Sequence, residues 1–98
     1  MRQSNPPTAI FCANDLMAVG ALSALRNAGL RVPEDVAVVG FDDAPIALST
    51  LPTLTTVHQG PEQMGREMVA MLLDATRAPG VPQPGRMLPT HLVVRGSS

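Results

Sequence analysis

Aromatic side chains are almost missing from this sequence: Phe11 and Phe41 are the two in 98 residues, with no Trp or Tyr. That scarcity leaves few platforms for stacking a base or a sugar ring. Concentrated positive charge is missing as well. Seven basic residues stand against eight acidic ones, for a formal net charge of -1, and they are scattered from Arg2 to Arg95. Nucleic-acid surfaces need clustered cations to displace counterions, so this chain is not expected to contact DNA itself. A single cysteine, Cys12, rules out an internal disulfide. It lies in the run Ala9-Ile10-Phe11-Cys12-Ala13, which offers no cation to activate a thiolate, and is read as a buried strand residue. Every apolar run is broken far short of the ~20 residues a membrane-spanning helix needs. Met1 to Pro7 has neither an apolar core nor a small-residue cleavage site, so a secretory signal is not expected and the cytoplasm is the expected location.

The usual signatures of catalysis are absent too. Gly20, Gly29 and Gly40 are isolated and do not form a phosphate-binding G-x-G-x-x-G loop. His58 and His91 are far apart in sequence, and neither accompanies a Ser or Cys in a nucleophile motif, so both read as ordinary polar residues. Asp42 and Asp43 are adjacent at a strand end, where neighbouring side chains point in opposite directions. No spaced set of His, Cys and carboxylates completes a metal shell. No enzymatic activity, metal or cofactor is expected.

What remains is a small domain's worth of patterned apolar residues, 45% of the chain. Thr8 to Cys12 is a short apolar run, halted by Asn14-Asp15, and predicts a buried strand. Asn14 or Asp15 supplies an N-cap for a helix over 16–28, closed by Gly29 with Leu30 behind it. Its apolar residues leave a narrow polar stripe, which predicts cover on more than one side, by a sheet and by a partner subunit. Val36 to Phe41 is continuously apolar, the pattern of a strand buried on both faces of a parallel sheet. Strand, helix and strand make a βαβ unit and place the fold in the α/β class, built on a parallel sheet. Ile46 to Thr50 is read as one helical turn and Leu54 to Val57 as a third strand rich in β-branched residues. Pro61 opens an amphipathic helix over 62–77 carrying Met64, Met68, Met71 and Leu72 at spacings of three and four, the methionines being read as core fillers. A Pro/Gly linker over 78–84 leads to a last strand over 87–94, which Pro89 assigns to an edge or a bend.

Ligands of open parallel sheets bind beyond the carboxyl ends of the strands. Three polar residues follow three strands in that position: Asn14, Asp42 and Gln59. Two amides and a carboxylate offer both donors and acceptors, which suits a neutral polyhydroxylated ligand, sugar-like or nucleoside-like, better than a phosphate. The structural alternatives are a helix cap for Asn14, a turn residue for Asp42 and a solvated loop residue for Gln59.

The wording of three segments adds a resemblance. Pro7-Thr8-Ala9-Ile10-Phe11-Cys12-Ala13-Asn14-Asp15-Leu16-Met17-Ala18-Val19-Gly20, Arg31-Val32-Pro33-Glu34-Asp35-Val36-Ala37-Val38-Val39-Gly40-Phe41-Asp42-Asp43 and Leu54-Thr55-Thr56-Val57-His58-Gln59 resemble, in order and spacing, the effector-sensing part of LacI/GalR bacterial transcriptional repressors. The resemblance covers Pro7 to about Val94. It implies a partial periplasmic-binding-protein-like type I fold of two α/β subdomains with a small effector between them. It also implies effector contacts from Asn14 and Asp42, a weaker one from Gln59, and Phe41 backing the pocket. Residues 7–57 and 89–95 would belong to the C-terminal subdomain and 58–88 to the N-terminal one, most of which lies outside this segment, as does the DNA-binding head. Val19, Leu22, Leu48 and Leu51 are the residues the resemblance suggests for a homodimer contact, with packing inside the helix core as the alternative. A sugar-binding protein of a transporter is the competing reading; it shares the fold, is exported and binds no DNA.

Overall fold

The computed structural model describes residues 5–82, 85 and 87–98. The first four residues of the N-terminal segment, Gln83 and Pro84 of the linker, and Arg86 lie outside the described residues. Four strands form one sheet in the order β1-β2-β3-β4, with β1 at Ala9–Phe11, β2 at Ala37–Asp42, β3 at Thr55–His58 and β4 at His91–Val93. The first three are parallel, with Ile10 opposite Val38 and Gly40 opposite Thr56, and β4 is an antiparallel edge strand with His91 opposite His58. The fold is therefore mixed α/β with a parallel-dominated sheet. The last strand is shorter than the sequence pattern suggested: pairing starts two residues past Pro89, which cannot donate to the ladder.

Helix α1 spans Asp15–Asn27 and connects β1 to β2. Asn14 caps it, extended at φ -155° and accepting the Met17 N–H at 2.9 Å through its side chain. The other end closes at Gly29, whose φ of +76° suits a residue without a Cβ, and the Leu30 N–H returns to the Leu25 carbonyl at 2.9 Å. Ala18, Leu22 and Leu25, at helical spacing, form the buried face. They pack with Val36, Val38, Ala47, Leu54 and Cys12 in the core, and Ala18, Val38, Ala47 and Leu54 are wholly inaccessible. A 3₁₀ turn at Pro45–Leu48 contributes Ala47 to that core.

All of this lies on one side of the sheet. The expectation that β2 is buried on both faces is not met: Val38 and Gly40 are buried and their neighbours are only half-buried. The physical reason is that α1 covers one face, while Phe11, Leu92 and Val94 on the other remain exposed. Helix α1 buries one stripe against the sheet, and its Leu16 and Met17 are exposed on the surface of this single chain.

Helix α2, Pro61–Arg77, stands apart. It has the predicted amphipathic pattern, yet none of its residues is buried, and Met68 and Leu72 are 67% and 63% exposed. The consequence is visible in the shape: the radius of gyration is 18.2 Å and the longest extent 57 Å, against roughly 13 Å of gyration for a compact domain of this length. The methionines expected as core fillers fill no core among the described residues.

Candidate functional site

Because β1, β2 and β3 run parallel, the segments that leave them emerge at the same end of the sheet. That end carries Asn14, Asp42-Asp43 and Gln59. Asn14 is half-buried, and its amide oxygen is engaged in capping α1. The cap role and a binding role are compatible, since the amide NH₂ is still available to donate.

Asp42 and Asp43 depart from ordinary backbone geometry, with φ of 118° and 56°. Positive φ is costly for a residue with a Cβ, less so for Asp than for most, and such strain is concentrated where a side chain must be aimed. Here it splits the pair. The Asp42 carboxylate accepts a hydrogen bond from the Gln59 side-chain amide, joining two of the three expected site residues directly. Asp43 turns instead toward the end of β3 and the residues after β4, where its two oxygens meet Arg95 at 2.8 Å and the His58 Nδ1 at 3.0 Å. The Arg95 guanidinium holds the Asp43 carboxyl below the usual carboxylate range, with the His58 hydrogen bond acting in the same direction and partial burial opposing both.

The residue that holds this end of the sheet together is Asp15. It is 1% exposed, and its carboxylate accepts the Thr56 hydroxyl and the Ala44 N–H, both at 2.7 Å. One side chain at the start of α1 thereby ties β3 and the loop after β2 to the helix that follows Asn14. The Thr56 hydroxyl in turn accepts the Asp43 N–H at 3.2 Å. Gly40 makes room for this brace, because a Cβ there would lie 2.2 Å from the Asp15 Oδ1. Sequence reasoning treated Asp15 as an alternative cap and Gly40 as an isolated glycine. A signal for the brace lay in the offset: one of the two adjacent polar residues caps α1, and the other falls on the helix face that carries Ala18, Leu22 and Leu25.

A second anchor comes from the C-terminal residues. Ser97 is fully buried; its hydroxyl donates to the Val38 carbonyl at 2.6 Å and accepts the Thr55 N–H at 2.8 Å. The Arg95 guanidinium also donates to the Leu54 carbonyl at 2.9 Å. The sequence offered no periodic signal for either residue, since each acts through polar contacts to residues far away in the chain.

Gln59 also looks toward α2. Together with Met64, Met68, Met71, Leu88 and Thr90 it lines a cavity of about 240 Å³. The two histidines read as unrelated polar residues are brought together, with ring centroids 5.0 Å apart. Among the described residues no group of three or more His, Cys, Asp or Glu side chains is placed to hold a metal ion. No helix among them is long and apolar enough to cross a membrane. The four residues suggested for a dimer contact separate into three kinds: Leu22 is 6% exposed and belongs to this chain's own core, Val19 is half-buried, and Leu48 and Leu51 are 65% and 76% exposed.

Comparison with known proteins places this geometry. The sequence profile of the periplasmic binding protein-like domain matches residues 1–98. The transcriptional repressor CytR of Escherichia coli K12 is 42% identical over 93 residues, covering 95% of this chain and 27% of CytR. Among solved structures, the complex of the transcriptional regulator CelR with cellobiose superposes with a TM-score of 0.82 at 49% identity, over 93% of this chain and 28% of that one. The Lac repressor dimer bound to operator and the anti-inducer ONPF gives 0.85 at 39% identity, over 94% and 32%. The chain thus spans about a quarter to a third of the length of the proteins it matches, which are transcription regulators and not enzymes. By its sequence and its fold, the chain belongs to the periplasmic-binding-protein-like domain family and is similar over nearly its whole length to LacI-type transcriptional repressors.

Proposed function

We propose that this chain supplies one wall of the effector-binding cleft of a cytoplasmic, ligand-responsive transcriptional regulator, and that Asn14, Asp42 and Gln59 hydrogen-bond a sugar-like or nucleoside-like effector. The observation that carries the reading is the strained Asp42 backbone, φ 118°, with its carboxylate joined to the Gln59 amide at the carboxyl end of a parallel sheet. One carboxylate oxygen is occupied by Gln59, and the second has no hydrogen bond among the described residues, so it is available to accept from a ligand hydroxyl. The cellobiose found with CelR is a polyhydroxylated ligand of the class this donor and acceptor set suits. Matches to transcription regulators favour this role over that of a transporter's sugar-binding protein.

In this reading residues 58–88 leave the subdomain formed by 7–57 and 89–95 and belong to a second one. The cleft then lies between the sheet end and α2, and effector binding shifts the equilibrium between two subdomain arrangements, altering operator affinity through a DNA-binding domain not included in these residues. The surface of half-buried Val19 and exposed Leu48 and Leu51 is where the homodimer forms, and Leu22 supports it from within. The test is Asp42→Ala in the full-length regulator, assayed by operator binding against effector concentration. Loss of the effector response, with unliganded operator affinity and thermal unfolding unchanged, is expected. A normal effector response in that variant overturns the assignment.

A further inference from the structure

Beside the proposed effector site, and sharing Gln59 with it in the lining of one cavity, the geometry points to a two-histidine site for a divalent transition metal of the zinc or nickel class, formed by His58 and His91 where the chain leaves and re-enters the sheet. The two residues stand directly opposite each other in the antiparallel β3–β4 register, so their side chains share one face and one level of the sheet. Their ring centroids are 5.0 Å apart with planes at 38°. Two imidazoles bound to one tetrahedral metal at about 2.0–2.1 Å place their centroids about 5 Å apart, so the ring separation is one that two ligands of a single ion can have.

The second feature is the carboxylate behind His58. Its Nδ1 is hydrogen-bonded to Asp43 at 3.0 Å, and Asp43 is itself fixed by Arg95 at 2.8 Å. A carboxylate on one ring nitrogen orients the imidazole and makes the other nitrogen the ligating atom. The Nε2 of His58 lies on the side of Gly60, and both histidines line a cavity of about 380 Å³ with Gly60, Gln63 and Thr90. No third metal-ligating side chain stands with them among the described residues, so water fills the remaining positions and the site is open. Its consequence is mechanical: a bound ion ties the end of β3 to the start of β4, the two points at which the chain crosses to and from α2.

Titration of the chain with Zn²⁺ alone, by calorimetry and by the ring resonances of both histidines, tests this. One equivalent is expected to shift both rings together. His91→Ala, an exposed position, and His58→Ala are each expected to weaken binding at least about tenfold, with the double variant little worse than either single one, because two ligands of one ion are not independent. His91→Gln serves as the second variant should His91→Ala alter the circular dichroism. Shifts confined to one ring, no saturable binding, or affinities within twofold of the parent in the single variants overturn the proposal.

Discussion

The β1–α1–β2–β3 unit and helix α2 have similar apolar content but opposite fates. In the first, Ala18, Leu22 and Leu25 of α1 meet Val36, Val38 and Leu54, and the centre of that contact is inaccessible to water. In the second, Met68, Val69, Leu72 and Leu73 stay 46–67% exposed along a well-formed helix. Helical pattern alone therefore does not say what a helix packs on. The amphipathicity of α2 is addressed to a surface that the described residues do not provide, in keeping with the proposal that 58–88 serves a different subdomain.

The contrast is sharpest in stability. Leu54→Ala empties space in a fully buried position and is expected to cost about 4 kcal/mol, whereas Leu72→Ala in α2 is expected to stay within about 0.5 kcal/mol, both by denaturant unfolding of this chain. Equal effects at the two sites would break the comparison. Next in size is Asp15→Ala, which leaves the Thr56 hydroxyl and the Ala44 N–H without their acceptor and is expected to cost about 3 kcal/mol. The smallest effect concerns Asp43. Its carboxyl ionises below the usual carboxylate range in the folded chain. Its contribution is thus fully present above the ordinary carboxylate value and is lost as pH falls through the lowered one. Asp43→Asn is expected to flatten the acid limb of the stability profile and leave the slope near neutral pH unchanged, and an unchanged acid limb contradicts the ion pair's role.

Much of the fold was legible because its local signals were redundant. Asn14, Gly29 and Pro61 mark helix ends by mechanisms that act within a turn, and the structure places α1 and α2 within a residue or two of the expected bounds. The short apolar runs became strands for the same reason. What was not legible depends on contacts across the chain. The continuous apolar run of β2 could not reveal that one face stays half-covered, because burial belongs to the neighbours and not to the strand. Asp15 and Ser97 each act through polar contacts 29 to 59 residues away; the helical offset puts Asp15 on the buried face, but no periodicity announces its partners or those of Ser97. His58 and His91 are joined by strand register alone. For the candidate site, Asn14, Asp42 and Gln59 were singled out by their place after strands, whereas the positive φ that separates Asp42 from Asp43 has no counterpart in spacing.

The most direct test of the contrast between the two regions is amide hydrogen exchange on this chain, residue by residue. Slow exchange throughout β2 and along α1, with exchange in α2 faster by orders of magnitude, is the result the account predicts. Protection of the 65–77 amides equal to that of Leu22 and Leu25 would contradict it.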